Sequence, residues 1–279
     1  MGRTFTRQEV INLFQSRINT GHPLIGTGAS SGLIGKAAEQ GGVDFIVLYS
    51  TGRSRLMGQG TRLVGEANRI SLEMHEELYQ VVNNTPLIAG LDANDPDNWD
   101  HKKLLKKFID SGVSGIIHNP MIGIYGSEYV KIRGEVGHGF ERELDLTRMA
   151  HDMGLYTLCY TWTVYETVEM VKAGTDMIIA HVGGTGGGLT GIPHKGVDEC
   201  VKIINTLIAA AKDTNPATVC LAHGGPFKDP ESVKDIYRYT DAVGYIGASS
   251  VERIPLEDSI MKTVKEFKAI PLRRKPNEG

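Results

Sequence analysis

Apolar residues fall along this chain in eight short, nearly unbroken runs: residues 23–27, 44–50, 86–91, 113–118, 156–162, 176–181, 218–223 and 242–246. Strands buried on both faces lack the in–out alternation of a half-exposed sheet, so such runs predict parallel strands inside a layered fold. Between them the apolar spacing becomes helical. Helices are predicted over residues 33–40, about 66–82, 104–110, 144–153, 164–171, 197–212 and 230–239. A leading helix over residues 6–19 places Val10, Leu13, Phe14 and Ile18 on its apolar positions, and a closing helix covers residues 256–267. Four helices share one ending. Gly41-Gly42, Gly112, Gly154 and Gly174 each stand just before the next apolar run, where a left-handed residue stops a helix; Arg238 to Gly244 is a weaker copy.

Eight strand–helix units in series predict an α/β fold, a single (β/α)8 TIM barrel with an additional N-terminal helix. Residues 1–20 are read as the helical extension and residues 21–270 as the barrel, with no internal boundary. An open dinucleotide-binding sheet would carry Gly-x-Gly-x-x-Gly after its first strand. Here Gly26-Thr27-Gly28 leads to Gly32 at the wrong spacing, and no nicotinamide, flavin or pyridoxal phosphate site is evident. Two connections after strands are long, residues 51–65 and 119–143. Loops on that face build the active site of such barrels, so both are candidates for lids or subunit contacts.

Composition narrows the class without changing the fold. The 279 residues are 41% hydrophobic and 23% charged, enough for a large core. A net charge of −3 gives no electrostatic reason to bind nucleic acid. No apolar run is long enough to span a bilayer, and the first residues lack the apolar core of a signal peptide. Cys159, Cys200 and Cys220 form no close pair, which fits a reduced cytoplasmic protein. The tail Arg273-Arg274-Lys275 reads as a solvated terminus.

The candidate chemistry sits at the strand ends. Gly224-Gly225 after the seventh run and Gly247-Ala248-Ser249-Ser250 after the eighth are small enough for backbone N–H groups to approach a phosphate or carboxylate, helped by a short helix starting near Ser249. Asp92, with Asp95 three residues on, offers oxygen ligands for a divalent metal. His118, His181 and His223 end the fourth, sixth and seventh runs and are candidate proton carriers. Arg53 and Arg55, with Arg62 further on, are candidate anion clamps, and Glu66 is a candidate acid or base. The run Gly183-Gly184-Thr185-Gly186-Gly187-Gly188 lacks the lysine of a P-loop, and Tyr160 and Trp162 are placed to line a pocket.

The segments Tyr49-Ser50-Thr51-Gly52-Arg53-Ser54-Arg55, Gly58-Gln59-Gly60, Gly65-Glu66-Ala67-Asn68, Asn119-Pro120-Met121-Ile122-Gly123 and Gly183-Gly184-Thr185 together resemble the phosphoenolpyruvate hydrolase-like TIM-barrel family. The same barrel looks like the carboxyl-terminal domain of plant virus-resistance proteins of the Tm-1 type. The resemblance places the chain beside the phosphoenolpyruvate mutase and isocitrate lyase superfamily. It implies magnesium, a small anionic 2-oxo acid or enolate substrate, and cleavage of a C–C or C–P bond. It also implies that Ser50 and Gly52 hold a carboxylate and that Asp92 lies on the metal side. Two features depart from that pattern. No aspartates stand two apart at this point, and His118-Asn119-Pro120 replaces the superfamily's cysteine- or lysine-bearing loop. The leading expectation is a metal-assisted lyase or hydrolase that acts on a small phosphoenolpyruvate-like or 2-oxo acid and forms a homo-oligomer. The alternatives are a metal-independent phosphosugar or nucleotide barrel and a non-catalytic binding or assembly protein.

Overall fold

The eight apolar runs become eight parallel strands: β1 (Leu24–Gly28), β2 (Phe45–Leu48), β3 (Leu87–Leu91), β4 (Gly115–His118), β5 (Tyr156–Thr161), β6 (Met177–His181), β7 (Val219–His223) and β8 (Gly244–Gly247). They close in sequence order into one barrel. Closure is made by β8 against β1, with Leu24 to Thr27 in register with Gly244 to Gly247. The computed structural model describes residues 2–272, so the basic tail Arg273-Arg274-Lys275 lies outside the described residues.

The helices in chain order are α1 (Arg7–Asn19), α2 (Gly32–Gln40), α3 (Ser50–Leu56), α4 (Ala67–Leu78), α5 (His101–Ser111), α6 (Ser127–Glu135), α7 (Phe140–Asp152), α8 (Val164–Lys172), α9 (Val197–Thr214), α10 (Pro230–Tyr239) and α11 (Ile254–Ala269). Helix α1 is the expected N-terminal addition. Thr6 and Glu9 form a capping box at its start, and Phe14 packs at 5.2 Å between ring centroids on both Phe45 and Tyr156, the first residues of β2 and β5. It therefore closes the amino-terminal end of the barrel and leaves the carboxyl-terminal end open. The helix stops fall where the glycines predict them: Gly42, Gly112, Gly154 and Gly174 all have φ between 82° and 96°.

The long connections contain more structure than their polar sequences suggest. Residues 51–65 begin with α3, and residues 119–143 hold a 3-10 turn (Ile122–Tyr125), α6 and the start of α7. The helix expected to reach residue 82 ends at Leu78. The short helix expected near Ser249 is a five-residue π-helical turn, Ser249–Arg253, that runs directly into α11. No residue of α11 is buried, and Leu256, Ile260, Val264 and Phe267 are exposed along it. Among the described residues no helix is long and apolar enough to cross a membrane.

Candidate active site

The carboxyl ends of the strands surround a cavity of about 600 Å³. One wall is a panel of rings from consecutive strands. Tyr160 lies on β5, Trp162 just beyond it, His181 ends β6, and His223 ends β7. The His181 and His223 positions are in register across the β6–β7 pair. Their ring centroids are 4.8 Å apart; Tyr160 is 5.2 Å from His181 and 5.0 Å from His223, and Trp162 is 4.5 Å from His181.

The two histidines are held in opposite tautomers. The Gly183 N–H donates to His181 Nδ1 at 3.0 Å, so Nδ1 is the acceptor and the proton sits on Nε2. His223 Nδ1 lies 2.7 Å from the Ile246 carbonyl, which can only accept, so Nδ1 carries the proton and Nε2 keeps its lone pair. Both residues line the cavity, and among the described residues each ring is hydrogen-bonded at Nδ1 alone. Burial keeps both rings neutral. It lowers His223 to about 4 and holds His181 well below the ordinary imidazole value, with the neighbouring His223 adding to the effect. One N–H donor and one lone pair thus stand side by side on one wall. That arrangement can polarise a carbonyl while accepting a proton.

His118 differs. Thr147 on α7 gives its hydroxyl proton to the Glu143 carbonyl at 3.0 Å and accepts from His118 Nε2 at 2.7 Å. His118 Nδ1 is buried without a partner, and burial lowers the ring to about 3. His118 touches the cavity, yet its Nε2 is anchored in the barrel wall.

The arginines also separate. Arg55 enters the cavity but is buried against the Glu252 carboxylate from the π-helical turn, with the two side chains 3% and 1% exposed. That pair is internally neutral. Arg53 turns the other way, to Glu77 on α4 at 3.1 Å. Arg62, on the loop after α3, lines the cavity and enters no ion pair among the described residues. It was visible in the sequence as one of three loop arginines, but nothing there distinguished it from the two that pair. No aspartate or glutamate stands among the described cavity-lining residues.

The remaining anion-binding candidates divide in the same way. Ala248 and Ser249 line the cavity. Gly224 and Gly225 tie two loops together instead: the Gly225 N–H donates to Gly183 O and its carbonyl accepts from Gly186 N, both at 3.0 Å. A Cβ at Gly224 would stand 1.9 Å from Gly183 O, so this crossing itself demands glycine. Gly247 sits under Ser250 and Val251, and Ser250 Oγ is 3.1 Å from the Tyr245 hydroxyl. Ser50 is buried at the start of α3, and Gly52 allows α3 to approach Ser30 and Met74. Glu66 caps α4 by accepting from Arg69 N at 3.2 Å. None of these last residues faces the cavity.

Magnesium requires free oxygen ligands. Asp95 has little to offer. Its Oδ2 accepts from Asn68 and Asn98 at 2.8 Å each, and its Oδ1 caps the next turn by accepting from Asp97 N at 2.9 Å. Asp92 accepts from Asn94 N at 2.8 Å and lines a second cavity of about 140 Å³ with Asn94, Arg133 and Glu143. Burial raises the Asp92 carboxyl and raises Glu143 well above the usual carboxylate range, which favours the neutral acids. Among the described residues no group of three or more His, Cys, Asp or Glu is placed to hold a metal. The Asp92 and Asp95 pair does not fit a magnesium ion.

Comparison with known proteins agrees with this architecture. A profile described as phosphoenolpyruvate hydrolase-like matches residues 9–270. The ToMV susceptible protein tm-1(GCR26) of Solanum lycopersicum is 36% identical over 274 residues, covering 94% of this chain and 36% of that protein. The chain spans roughly a third to two fifths of the length of the curated relatives it matches. Among solved structures, oxaloacetate acetylhydrolase in complex with oxalate superposes with a TM-score of 0.62 at 14% identity, over 99% of this chain and 91% of that one. Phosphonopyruvate hydrolase in complex with oxalate and Mg++ gives 0.61 at 15% identity, over 93% and 86%. At these identities the structural likeness speaks for the fold.

Proposed function

This chain belongs to the phosphoenolpyruvate hydrolase-like family, and we propose that it is a hydrolase or lyase that cleaves a C–C or C–P bond in a small 2-oxo acid at the barrel mouth. The observation that carries this reading is the tautomer-matched pair. His223 Nε2 takes a proton from water or from the substrate, and His181 Nε2–H donates to the carbonyl oxygen on which negative charge develops. Arg62 holds the substrate carboxylate at the rim. Bound anion raises the His223 pKa from its low resting value and makes it a better base. The solved neighbours that act on oxaloacetate and phosphonopyruvate support the substrate class. No step is assigned to magnesium, because the expected aspartates do not fit it.

The test is a panel of oxaloacetate and phosphonopyruvate, assayed with and without Mg²⁺ and with EDTA. Turnover that survives EDTA and is lost in His223→Gln supports the reading. Turnover that needs Mg²⁺ and is insensitive to His223→Gln overturns it.

Self-association belongs to the same proposal. The exposed face of α11 needs cover, and an apolar groove of about 550 Å³ runs between α2 and the start of α11, lined by Ile25, Leu33, Ile34, Val43, Pro255 and Leu256. A second copy supplies a helix for that groove. Sedimentation as a monomer at micromolar concentration would contradict this. The unpaired cysteines Cys159, Cys200 and Cys220 are all buried, which supports the reduced, cytoplasmic setting expected for the chain.

A further inference from the structure

Three features of the mouth disagree with a substrate as small and as charged as a four-carbon diacid. The first is charge. Among the described residues the cavity offers one arginine outside an ion pair, Arg62, because Arg55 is neutralised by Glu252. One free cation matches one carboxylate; a dianion would leave its second carboxylate facing neutral walls, at a desolvation cost. The second is shape. The β5–β7 wall is a set of rings with centroids 4.5–5.2 Å apart, a surface suited to a flat conjugated group and not to a carboxylate. The third is the rim. Leu63, Ile124, Tyr125 and Ile192 all line the cavity and are 40%, 58%, 49% and 47% exposed. They come from three different loops and converge on one opening. Large apolar side chains gathered at a mouth mark a binding surface more often than a solvated edge.

Volume points the same way. About 600 Å³ falls in the range of pockets that bury drug-sized ligands, on the order of 300–1,000 Å³, so a four-carbon acid would leave much of it unfilled.

We propose that the substrate is a 2-oxo acid with a single carboxylate and a planar aromatic extension, such as an aroylpyruvate. This rests on the 2-oxo acid reading above and specifies its substrate. The carboxylate pairs with Arg62 at the rim. The aryl group lies against Trp162 and Tyr160 under Ile124 and Ile192. The conjugated carbonyls face the His181–His223 pair. For benzoylpyruvate the reaction balances without a further reactant. His223 Nε2 takes a proton from water as the water oxygen bonds to the benzoyl carbon. The bond from that carbon to the methylene breaks, and its electron pair moves into the pyruvate enolate, whose oxygen accepts from His181 Nε2–H. The proton on His223 passes to the methylene carbon. The products are benzoic acid and pyruvate.

The experiment compares benzoylpyruvate, acetylpyruvate and oxaloacetate with the full chain, following pyruvate, oxalate and acetate, with binding measured by isothermal titration calorimetry. The expected result is a kcat/KM for benzoylpyruvate at least about tenfold above that for acetylpyruvate, the scale of discrimination an apolar pocket supplies. That ratio should fall toward one in Trp162→Ala and in Ile124→Ser. Ile124 is exposed, so the second variant tests the rim without endangering folding. If acetylpyruvate or oxaloacetate turns over and benzoylpyruvate does no better, the aromatic class is overturned and the 2-oxo acid function stands. If benzoylpyruvate binds and none of the three turns over, the ligand class is supported and the assigned reaction fails. Neither binding nor turnover overturns both.

Discussion

Along β5, β6 and β7 the mouth is walled by neutral rings, and two of their nitrogens, His181 Nε2 and His223 Nε2, make no hydrogen bond among the described residues, each ring being held at Nδ1. Along β2 and β3 the strand ends are rich in ionic side chains that already have partners: Arg53 with Glu77, Arg55 with Glu252, Asp95 with Asn68 and Asn98, and Glu66 with the start of α4. Both sides looked chemical by residue type. They differ in what is left over once local demands are met. A strand-end charge that caps a helix or answers another charge is part of the scaffold. A neutral histidine with one nitrogen fixed by the backbone and the other free is a reagent. Four tests can break or sharpen that contrast.

The largest effect is expected at the histidine pair. His223→Gln keeps a side chain able to hydrogen-bond but loses the basic lone pair, and should lower kcat/KM by about 10²–10⁴-fold with little change in melting temperature. His118→Ala should do the reverse, lowering the melting temperature through loss of the Thr147 contact and of buried volume while leaving more of the activity. Steady-state kinetics beside thermal melts separates the two. Equal loss of activity in both variants would erase the distinction between a reagent and a wall residue.

The second effect tests whether Arg55 belongs to the scaffold. It is buried with Glu252 across 197 residues of chain, and the pair joins α3 to the π-helical turn after β8. Arg55→Met strands a buried carboxylate and should cost about 3–5 kcal/mol in denaturant unfolding. Adding Glu252→Gln removes the stranded charge and should recover most of it. If Arg55→Met is stable and only substrate affinity falls, Arg55 belongs with Arg62 as an anion clamp.

The third is the pH dependence. Burial lowers His223 and His75 to about 4 and His118 to about 3, each from an ordinary value of 6.5. Below 6.5 the unfolded chain binds protons that the folded chain refuses. Stability is therefore full above that value, and it declines as pH falls toward 4 and then 3. Activity that depends on the His223 lone pair should likewise be flat through pH 6.5 in kcat/KM and fall only toward about 4. A break in kcat/KM near 6.5 would place the base elsewhere.

How much of this the sequence carries follows from the same physics. Parallel strands such as β2 and β4 are buried at every position, so they appear as apolar runs and their limits are legible to within a residue or two. Left-handed stops such as Gly112 and Gly154 need glycine and are legible for that reason. Helix α3 was not, because its residues Ser50 to Arg55 are polar or small yet almost all buried, with their charges met by partners distant in sequence. Helix α6 buries nothing, so no apolar stripe announces it. At the site, three strand-end histidines were visible as a set. Their roles were not, because a tautomer depends on which backbone group faces each nitrogen, Gly183 N in one case and Ile246 O in the other. Asp92 and Asp95 looked like a metal pair because oxygen ligands and turn caps use the same residue types.

The smallest expected effect sharpens the contrast most economically. Arg53 and Arg55 are two residues apart on α3, and at two residues' separation helical side chains point in different directions. Arg55 is directed into the mouth and is buried; Arg53 is about a third exposed and meets Glu77, itself partly exposed, at 3.1 Å. Solvent screens that pair, so Arg53→Met should change stability by no more than about 1 kcal/mol. It should leave KM unchanged, because Arg53 does not line the cavity. Arg62→Met, by contrast, should raise KM for every 2-oxo acid by an amount that shrinks as salt is added, since a rim cation is screened over about 8–10 Å at ordinary ionic strength. Measuring KM for both variants across a salt series decides which loop arginine meets the substrate. A salt-dependent rise in Arg53→Met, with none in Arg62→Met, would move the anion site from the mouth to the outer face of α3.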